Sequence, residues 1–567
     1  MPRAPRRITQ ETLPALTHPT DPAANSAPHP HEHRTLRIVL LVFCSVALVV
    51  IAAGLIAGEI VLHRAGPIMK QKVIDTLSAR FDSRVELDSF SVSLVKGFEV
   101  SGAGLKLYPN HLQMDAPLFA VDRFSFHAFG WRQLFRTPMF INRVQVSGLS
   151  IHLPPKQQRS ELPHFDQSGA SSGSPGAIKI QVAEIDIDRA SLVLGTNKPG
   201  KVPLDFDIGK IRLTSVAPGR PMNFHAILIN PKPVGNIDST GQFGPFDADD
   251  PGNTPVDGDY SFSHADLSTI KGIGGMLEST GHYAGQLDNI EVDGETTTPD
   301  FHLTLAGHPV PLHTKFHAIV DGLNGDTHLQ PVDAWLAQTH IVARGDVVRV
   351  PGRPGHDIRL DVTVGPGRIQ DLLQLAVKTE PPLMTGQAQL HTSFELPPGP
   401  ESVTSKLQLK GSFTISGAHF SNDKFQSAVD QLSLRGQGKA NEANQERSAL
   451  KDGNADGAQA ADIGSEMHGD FLFLNDQLTV SGLDYQVPGA DIAMNGVYSL
   501  DGQTFDFHGV ARLQAKVSQL VTGWKSILLK PVDPFFAKNG AGTQVPIAIT
   551  GTRSDPKIGL DFHHNRQ

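Results

Sequence analysis

Two stretches of the sequence, INRVQVSGLSIHL at residues 141–153 and VAEIDIDRASLVL at residues 182–194, repeat one apolar pattern with an offset of 41 residues. The apolar positions are Ile141, Val144, Val146, Leu149, Ile151 and Leu153 in the first stretch, and Val182, Ile185, Ile187, Ala190, Leu192 and Leu194 in the second. Apolar and polar residues alternate within each half, which is the period of a strand with one buried face. The central pairs Ser147-Gly148 and Asp188-Arg189 fit tight reversals. The pattern therefore predicts that each stretch is a short β-hairpin.

The same two-residue period recurs over most of the chain beyond residue 82. In VELDSFSVSL it changes phase between Leu87 and Phe90, as a β-bulge would require. Further alternating runs lie at 301–305, 407–415, 471–480 and 504–510. The sequence lacks long helical patterns that could connect parallel strands. It therefore predicts a long, mostly antiparallel sheet, which must close, split into a sandwich or curl to protect its edges and its apolar face.

The stretch VDGLNGDTHLQPVDA at residues 320–334 gathers five polar residues that resemble a metal loop: Asp321, Asn324, Asp326, His328 and Asp333. An EF-hand loop needs oxygen ligands at its third and fifth positions and a glutamate at its twelfth. Counted from Asp321, these positions hold Leu323, Gly325 and Val332, so the spacing excludes that site. The Asn324-Gly325 pair readily takes the positive φ angles of a type I′ turn. The stretch is therefore predicted to be a hairpin.

Composition narrows the class of protein. The 567 residues include 54 Gly and 41 Pro, with 39% hydrophobic and 19% charged residues, which suits turn-rich β structure. The net charge of −9 gives no basic field for a polyanion, so nucleic-acid binding is not expected. Cys44 is the only cysteine, so an internal disulfide is excluded.

Residues 38–58, IVLLVFCSVALVVIAAGLIAG, contain no charged side chain. As a helix they would span about 30 Å, the thickness of a bilayer core. The run is too long for the apolar part of a cleavable signal peptide, and Glu59 follows it without a clear cleavage site. We therefore expect an uncleaved anchor. More basic residues precede it than follow closely, which favours residues 1–37 as a disordered cytoplasmic tail and places the rest of the chain outside.

The remaining chain divides into four parts by pattern. An amphipathic helix is predicted over residues 66–82, either capping the first strands or lying on lipid headgroups. Residues 83–516 are predicted to form the extended sheet. Two stretches without strand alternation, 156–177 and 436–464, are predicted to be disordered insertions in it. Residues 517–567 are expected to hold a capping helix near 517–529 and the last strands.

The sequence shows no familiar catalytic motif. A G-x-S-x-G elbow, an H-E-x-x-H helix and a P-loop are all missing. The chain has 25 histidines, but His302, His308, His313 and His317 follow strand spacing and indicate a polar sheet face. We therefore expect no enzyme activity, no cofactor and no metal site.

Three parts of the chain resemble the AsmA-like family of bacterial envelope proteins. They are RVELDSFSVSLVKGFEVSGAGLKLYP after the anchor, GQLDNIEVDGETTTPDFHLTLAGHPVPLHTKFHAIVDGLNGDTHLQPV in the middle, and VPGADIAMNGVYSLDGQTFDFHGVARL leading to GWKSILLKPVDPFFAKNGAGTQVPIAITGT near the end. The resemblance implies an inner-membrane protein whose long sheet curls into an open periplasmic groove. It also implies similarity to bridge-like lipid carriers linked to outer-membrane assembly. The chain is shorter than the largest members of that family.

The alternation supports two functions of different classes. An open curled sheet would form an apolar trough that acyl chains can fill, at about 0.8 kcal/mol per buried methylene. Phospholipid would then be the ligand, with outer-membrane or other envelope proteins as further partners. The candidate groove residues are Val144, Val146, Ile151, Ile185, Ile187 and Leu192. If the apolar faces instead close on each other as a dry sandwich, the protein is a structural scaffold for envelope assembly.

Overall fold

A computed structural model describes residues 66–93, 98–128, 139–154, 158, 180–194, 204–247, 251–451, 464–499, 504–519 and 543–561, apart from positions 113, 115, 218, 246, 305, 323–324, 351–352, 354, 379 and 553–554. The predicted tail at 1–37, the predicted anchor at 38–58 and almost all of the predicted insertion at 156–177 lie outside these residues. Among the described residues, no helix combines the length and apolar character needed to cross a membrane.

The described part of the chain is mostly β-strand. Five helices are present: α1 Gly66–Phe81, α2 Ile369–Ala376, α3 Val403–Lys406, α4 Asp423–Gly436 and α5 Ala440–Lys451. Short 3₁₀ turns occur at Pro251–Asn253, Leu267–Thr269 and Val517–Gln519. The strands are β1 Ser83–Glu86, β2 Ser89–Ser93, β3 Phe98–Pro109, β4 Phe119–Ala128, β5 Met139–Leu153, β6 Ile180–Leu194, β7 Leu204–Val216, β8 Met222–Pro231, β9 Val234–Phe243, β10 Pro255–Asp266, β11 Ile273–Gly274, β12 Met276–Gln286, β13 Asn289–Leu303, β14 Ala306–Val320, β15 Thr327–Leu336, β16 Thr339–Arg349, β17 His356–Arg368, β18 Met384–Leu396, β19 Gln408–Phe420, β20 Glu466–Leu474, β21 Gln477–Val487, β22 Ala490–Ser499, β23 Thr504–Leu513, β24 Thr543–Thr552 and β25 Pro556–Leu560.

All strands belong to one sheet, in which each strand pairs with its neighbours in the sequence. The exceptions are local: β1 and β2 both pair with β3, and the two-residue β11 pairs with β13 beside β12. Every pairing is antiparallel except that of β5 with β6. The prediction of one large, curled, mostly antiparallel sheet is therefore confirmed.

The prediction of two short hairpins at the repeat was wrong. Each repeat is a single long strand, β5 or β6, and the two strands lie side by side in parallel. Val144 pairs with Ile185 and Val146 with Ile187, so the repeat offset of the sequence is the register of the pairing. A type I′ hairpin needs two consecutive residues with positive φ. Gly148 and Arg189 have positive φ (65° and 55°), whereas the residues before them do not, so each strand bulges and continues.

The bulges keep apolar side chains on one face of the sheet. A regular strand alternates its faces with period two, so an extra residue is needed wherever the apolar pattern steps by three. Val146 and Leu149 are such a pair, and Gly148 lies between them. At this level β5 and β6 both carry the extra residue, so their pairing keeps its offset. In β10, β15 and β21 the extra residue lies on one strand and shifts the register. The sheet therefore has a continuous apolar face and a continuous polar face.

The polar stretch at residues 320–334 is a hairpin between β14 and β15. Val320 pairs with Thr327, and the Asp321 amide donates to the Asp326 carbonyl at 2.9 Å. Gly325 has a φ of 82°, as the turn prediction requires, while Asn324 lies outside the described residues. The loop is longer than a two-residue turn. The Asp326 carboxylate accepts the amide of Arg349 at 2.7 Å, and this bond holds the loop against the end of β16.

The structure differs from the sequence prediction in its helices. Residues 440–451, within the predicted disordered insertion at 436–464, form α5, and Ala440 and Ala443 are buried. The Arg435 guanidinium of α4 donates to the Asn444 side chain at 2.8 Å. The segment is rich in Ala, Glu and Gln, which are strong helix formers even where an apolar period is weak. Helix α2 was also not predicted.

The helix predicted over residues 66–82 is α1, and its side chains Val73, Leu77 and Phe81 are buried. The phase change predicted near residue 88 is a break between β1 and β2 rather than a bulge in one strand. Of the capping helix expected near 517–529, the described residues contain only the 3₁₀ turn Val517–Gln519.

Two bulge glycines allow a test of the bulge geometry. Gly148 in β5 and Gly482 in β21 both have positive φ, but an added Cβ at Gly148 would overlap the Asp122 carboxylate, whereas one at Gly482 would meet nothing within 4 Å. Both Gly148→Ala and Gly482→Ala should cost about 1–2 kcal/mol from backbone strain. Gly148→Ala should cost at least about 1 kcal/mol more, because Asp122 must move. Urea unfolding measures both, and equal losses would contradict the bulge packing.

His508 should make the docking of the last strand depend on pH. Its ring bonds the Asp561 carboxylate at 2.6 Å and the Asp506 carboxylate at 2.9 Å, and the bond to Asp561 is the main reason that the pKa of His508 is raised. Its contribution to stability is then complete below the pKa of the unfolded chain and is lost as pH rises through the raised folded pKa. The stability difference between wild type and His508→Gln should be larger near about pH 6 than near about pH 9. A difference independent of pH would contradict this.

Candidate functional site: a half-exposed trough along the apolar face

The apolar face is closed at the N-terminal end of the sheet. Helix α1 packs against β1 and β2, and its buried side chains join one cluster with those of β3 to β7. Phe126, Ile141 and Val144 in this cluster have no measurable exposure. This part of the face is a dry core.

The six groove residues predicted from the sequence all lie on adjacent positions of β5 and β6 within this closed end. Val144, Val146, Ile151, Ile185 and Ile187 are at most 5% exposed, and Leu192 packs at the margin of the cluster. The six residues therefore lie on the apolar face, in its closed part. A charged residue at Ile187 would test folding rather than ligand binding, because burying an unpaired charge there destabilises the core.

A second closed cluster lies towards the C-terminal end. Val429 of α4 is buried with side chains from β18 to β23, among them Ile415, Tyr485 and Met494. Asn422 caps α4 by accepting the Phe425 amide at 3.1 Å. Helices α1, α2 and α4 lie at one margin of the sheet, which we call the helix margin, whereas α3 lies at the opposite margin between β18 and β19. The opposite ends of the same strands form the hairpin margin.

Helix α2 is fixed to the helix margin by a buried carboxylate. Asp371 accepts the Thr339 hydroxyl at 2.9 Å and the Gln338 amide at 3.2 Å, at the turn between β15 and β16. Val310, Leu336 and Val364 are buried at the same margin. The apolar face is therefore covered along this margin, where α2 contacts β14 and β18.

Between the closed clusters and the hairpin margin, the apolar face is half-exposed. We call this part, from β8 to β19, the trough. Representative side chains are Phe224, Phe262, Phe316, Leu329, Leu360 and Phe394. On β17 burial falls away from the helix margin: Val364 is buried, whereas Val362, Leu360 and Ile358 are half-exposed. Ala318 of β14, nearer the hairpin margin, is buried. On the described strands that line the trough, charged groups on this face occur only at the hairpin margin, where Arg349 pairs with His356.

The curl brings the two margins of the sheet together. Lys271, in the loop after β10, donates to the carbonyl of Glu401 at 3.1 Å, although the residues are 130 apart in sequence. Gly272 lies against Val403 of α3. The loop that contains Lys271 and Gly272 lies at the helix margin, and the loop that contains Glu401 and Val403 lies at the hairpin margin. The sheet from β12 to β18 therefore curls until these two margins meet. The less exposed apolar face is on the inside of this bend.

The polar face carries histidines paired with carboxylates on neighbouring strands. His282 bonds Asp259 at 2.9 Å, and His317 bonds Asp293 at 2.8 Å. The same pairing occurs in His127–Glu99, His225–Asp238, His328–Asp346, His340–Asp333, His391–Asp361 and His468–Asp484. His313 and His317 lie on this solvated face, as the strand spacing predicted, and His313 bonds the Thr297 hydroxyl at 3.3 Å. His302 and His308 instead contact backbone carbonyls.

A shallow cleft of about 590 Å³ opens over β12 to β15. Its lining includes Asp293, Glu295, Lys315 and His317, so it is unsuited to an acyl chain. Among the residues that the structure describes, no three His, Cys, Asp or Glu side chains converge as a metal site requires.

Aromatic rings lie close against glycines on the apolar face. Phe316 covers Gly294, Phe124 covers Gly102 and Phe507 covers Gly496, because an added Cβ at each glycine would overlap the ring. Each glycine pairs directly with its aromatic residue across two strands. Sequence reasoning missed these pairs, although the glycines do fall on the apolar phase of their strands. Of the three rings, only that of Phe316 lies in the trough.

Comparison of the chain with models of protein families, with curated proteins and with solved structures finds no match.

An engineered disulfide tests the curl. A Cβ built at Gly272 lies 3.6 Å from the Cβ of Val403, which is the separation found in disulfides. The pair Gly272→Cys and Val403→Cys should therefore oxidise readily within one chain, although Gly272 has a φ of 102° and will resist any side chain to some extent. Non-reducing electrophoresis and peptide mass spectrometry detect the bond. The single variants control for pairing with Cys44, and failure of the folded double variant to cross-link would contradict the contact between the margins.

Proposed function

We propose that the protein is a membrane-anchored carrier that holds the acyl chains of phospholipids in the trough. In this proposal residues 38–58 anchor the chain in a bacterial inner membrane, and the sheet extends into the periplasm. The protein would support outer-membrane assembly or lipid homeostasis. It acts without an acid, base or nucleophile, because holding an acyl chain requires no bond to form or break.

One observation carries the proposal: the apolar face is continuous from strand to strand, yet from β8 to β19 it is only half-buried by the chain itself. Soluble proteins rarely leave a large contiguous apolar surface exposed unless something binds it. Each methylene that a ligand buries there contributes about 0.8 kcal/mol. Because the strands repeat the same apolar surface, a chain can move along the trough with little change in free energy at each step.

The positions of the charged residues favour an amphiphilic ligand over a pure hydrocarbon. The interior of the trough is uncharged, whereas Arg349 lies on the same face at the hairpin margin. The pKa of His356 beside it is lowered, mainly by burial and then by the Arg349 charge. A phospholipid could place its tails in the trough and keep its headgroup in water at this margin. The resemblance to AsmA-like envelope proteins agrees with this proposal.

The second candidate is a structural scaffold for envelope assembly. It is favoured by the two closed clusters, in which the apolar face packs dry against α1 and α4. If the half-exposed part also closed in solution, no ligand could enter. The amount of phospholipid bound to the purified protein therefore distinguishes a carrier from a scaffold.

Two adjacent residues of β17 provide a matched test. Val362 lies on the trough face and is half-exposed, whereas Thr363 lies on the polar face and is exposed. In Val362→Asp the new carboxylate would face any bound tail and should weaken its binding by a few kcal/mol, as for an unpaired charge in apolar surroundings. Thr363→Asp adds the same charge to solvent. Full-length protein and both variants should be purified from membranes and their co-purifying phospholipids quantified by mass spectrometry.

We expect phospholipid with the wild type and with Thr363→Asp, and at least tenfold less with Val362→Asp, since about 1.4 kcal/mol corresponds to a factor of ten. Circular dichroism should show that all three are folded. If folded wild-type protein carries no phospholipid, or if both variants carry equal amounts, the carrier proposal fails and the scaffold is preferred.

A further inference from the structure

The floor of the trough changes character between β9 and β13. Four glycines meet there as two cross-strand pairs, Gly241 with Gly258 and Gly281 with Gly294. The sheet carries no Cβ atom at these four positions, so neighbouring rings can lie directly on the backbone. Apolar side chains line the same face on β8 and from β14 onwards. The glycines therefore create a section of the trough floor where four positions carry no side chain.

Three aromatic rings cover this glycine floor. Tyr283 lies over Gly258, Tyr260 lies over Gly281, and Phe316 lies over Gly294. The centroids of the two tyrosine rings are 6.4 Å apart, and their planes are inclined by 33°. Each ring comes from the strand opposite the glycine that it covers. We call the three rings the aromatic platform, and it spans about 14 Å across β10 to β14 at about 4.8 Å per strand.

The phenol groups of the platform donate their protons to buried serines. Tyr283 contacts the Ser239 hydroxyl at 2.7 Å, and Tyr260 contacts the Ser279 hydroxyl at 3.1 Å. Ser239 donates its own proton to the Asp259 carbonyl at 2.9 Å. Ser279 likewise donates to the Glu295 carbonyl at 3.0 Å. Since each hydroxyl has one proton, the tyrosines must be the donors in both contacts.

The phenol oxygens of Tyr260 and Tyr283 can therefore only accept further hydrogen bonds. Each phenol oxygen keeps a lone pair, and the tyrosines are half-exposed while Ser239 and Ser279 are buried, at 8% and 7% exposure. Burial raises the pKa of both tyrosines, so they stay protonated and neutral near physiological pH. An ester carbonyl, which only accepts, would find no donor on these two phenols. A hydroxyl group, which donates, would find two acceptors.

We propose that the aromatic platform is a binding site for a fused-ring alcohol, an amphiphile with a flat alicyclic skeleton and a hydroxyl donor, of the sterol or hopanoid type. The flat skeleton suits the platform because fused rings gain contact area by lying against neighbouring aromatic rings. The hydroxyl suits Tyr260 and Tyr283 because a donor taken out of water needs an acceptor. An acyl chain uses neither feature. The inference rests on the proposed function, since both require an accessible trough.

The test uses full-length protein in detergent micelles and a photoactivatable sterol whose diazirine lies on the ring skeleton. A matched probe carries a 3-O-methyl ether in place of the hydroxyl, so it keeps the skeleton and loses the donor. Cross-linked peptides are quantified by mass spectrometry. The alcohol should label peptides from residues 234–320, and the ether should bind about five- to tenfold more weakly, the effect of one hydrogen bond.

The variant Tyr260→Phe with Tyr283→Phe removes both acceptors and keeps the rings. Ser239 and Ser279 retain their bonds to backbone carbonyls, so the fold should persist. Labelling by the alcohol should fall to the level of the ether. Tyr485→Phe is the matched control, because Tyr485 lies in the closed cluster near α4 and is 5% exposed. That variant should label as the wild type does.

Competition identifies the natural source of the ring system. Displacement of the probe by ergosterol, with four rings, or by diplopterol, with five, supports the site and ranks the two skeletons. Displacement by neither contradicts it, as does equal labelling by alcohol and ether, or an unchanged yield in the double variant. A photoactivatable phospholipid is used in parallel. If it labels the trough while the sterol does not, only this inference fails; if neither probe labels the trough, the carrier proposal fails as well.

Discussion

The alternation of side chains across a paired strand is the constraint on which the whole structure depends. A slip of one residue would turn the apolar set of a strand towards water and break the continuity with both neighbours. The chain meets this constraint with bulged residues, either aligned on paired strands, as at Gly148 and Arg189, or on one strand with a register shift, as in β21. Without those bulges the apolar surface would consist of separate patches, and no trough could run along the sheet.

The apolar face is covered at the helix margin and accessible at the hairpin margin. Helices α2 and α4 cover the strand ends at the helix margin, where Asp371 and the capping residue Asn422 fix them in place. At the hairpin margin the apolar face is half-exposed. The contact of Lys271 with Glu401 joins the margins at one point and bends the sheet around its apolar side. A surface that would be an aggregation hazard on a flat sheet is thereby kept on the inside.

The same strands carry charged pairs on their polar face and neutral, hydrogen-bonded groups on the floor of the trough. On the outer face, histidines and carboxylates of neighbouring strands pair in contact with water. Inside, glycines accept flat aromatic rings, and the serines beneath Tyr260 and Tyr283 take the phenol protons. Polar groups are thus present within the trough, but they are neutral and hydrogen-bonded, so they interrupt the apolar face without closing it.

The sequence alone determined the β class, the apolar phase of the strands and the first helix, because these follow from local periodicity. It also contained the parallel register of β5 and β6 as a repeat, but the repeat was mistaken for two hairpins, since a single positive φ at Gly148 is not visible in the residue types. Only the tertiary structure decided which part of the apolar face is accessible. Val144 and Ile187 share one face with Phe316 and Leu360, yet α1 and the tight packing of β3 to β7 bury the first pair. Burial depends on contacts between residues far apart in the chain, and the same alternation encodes a closed core and an open trough.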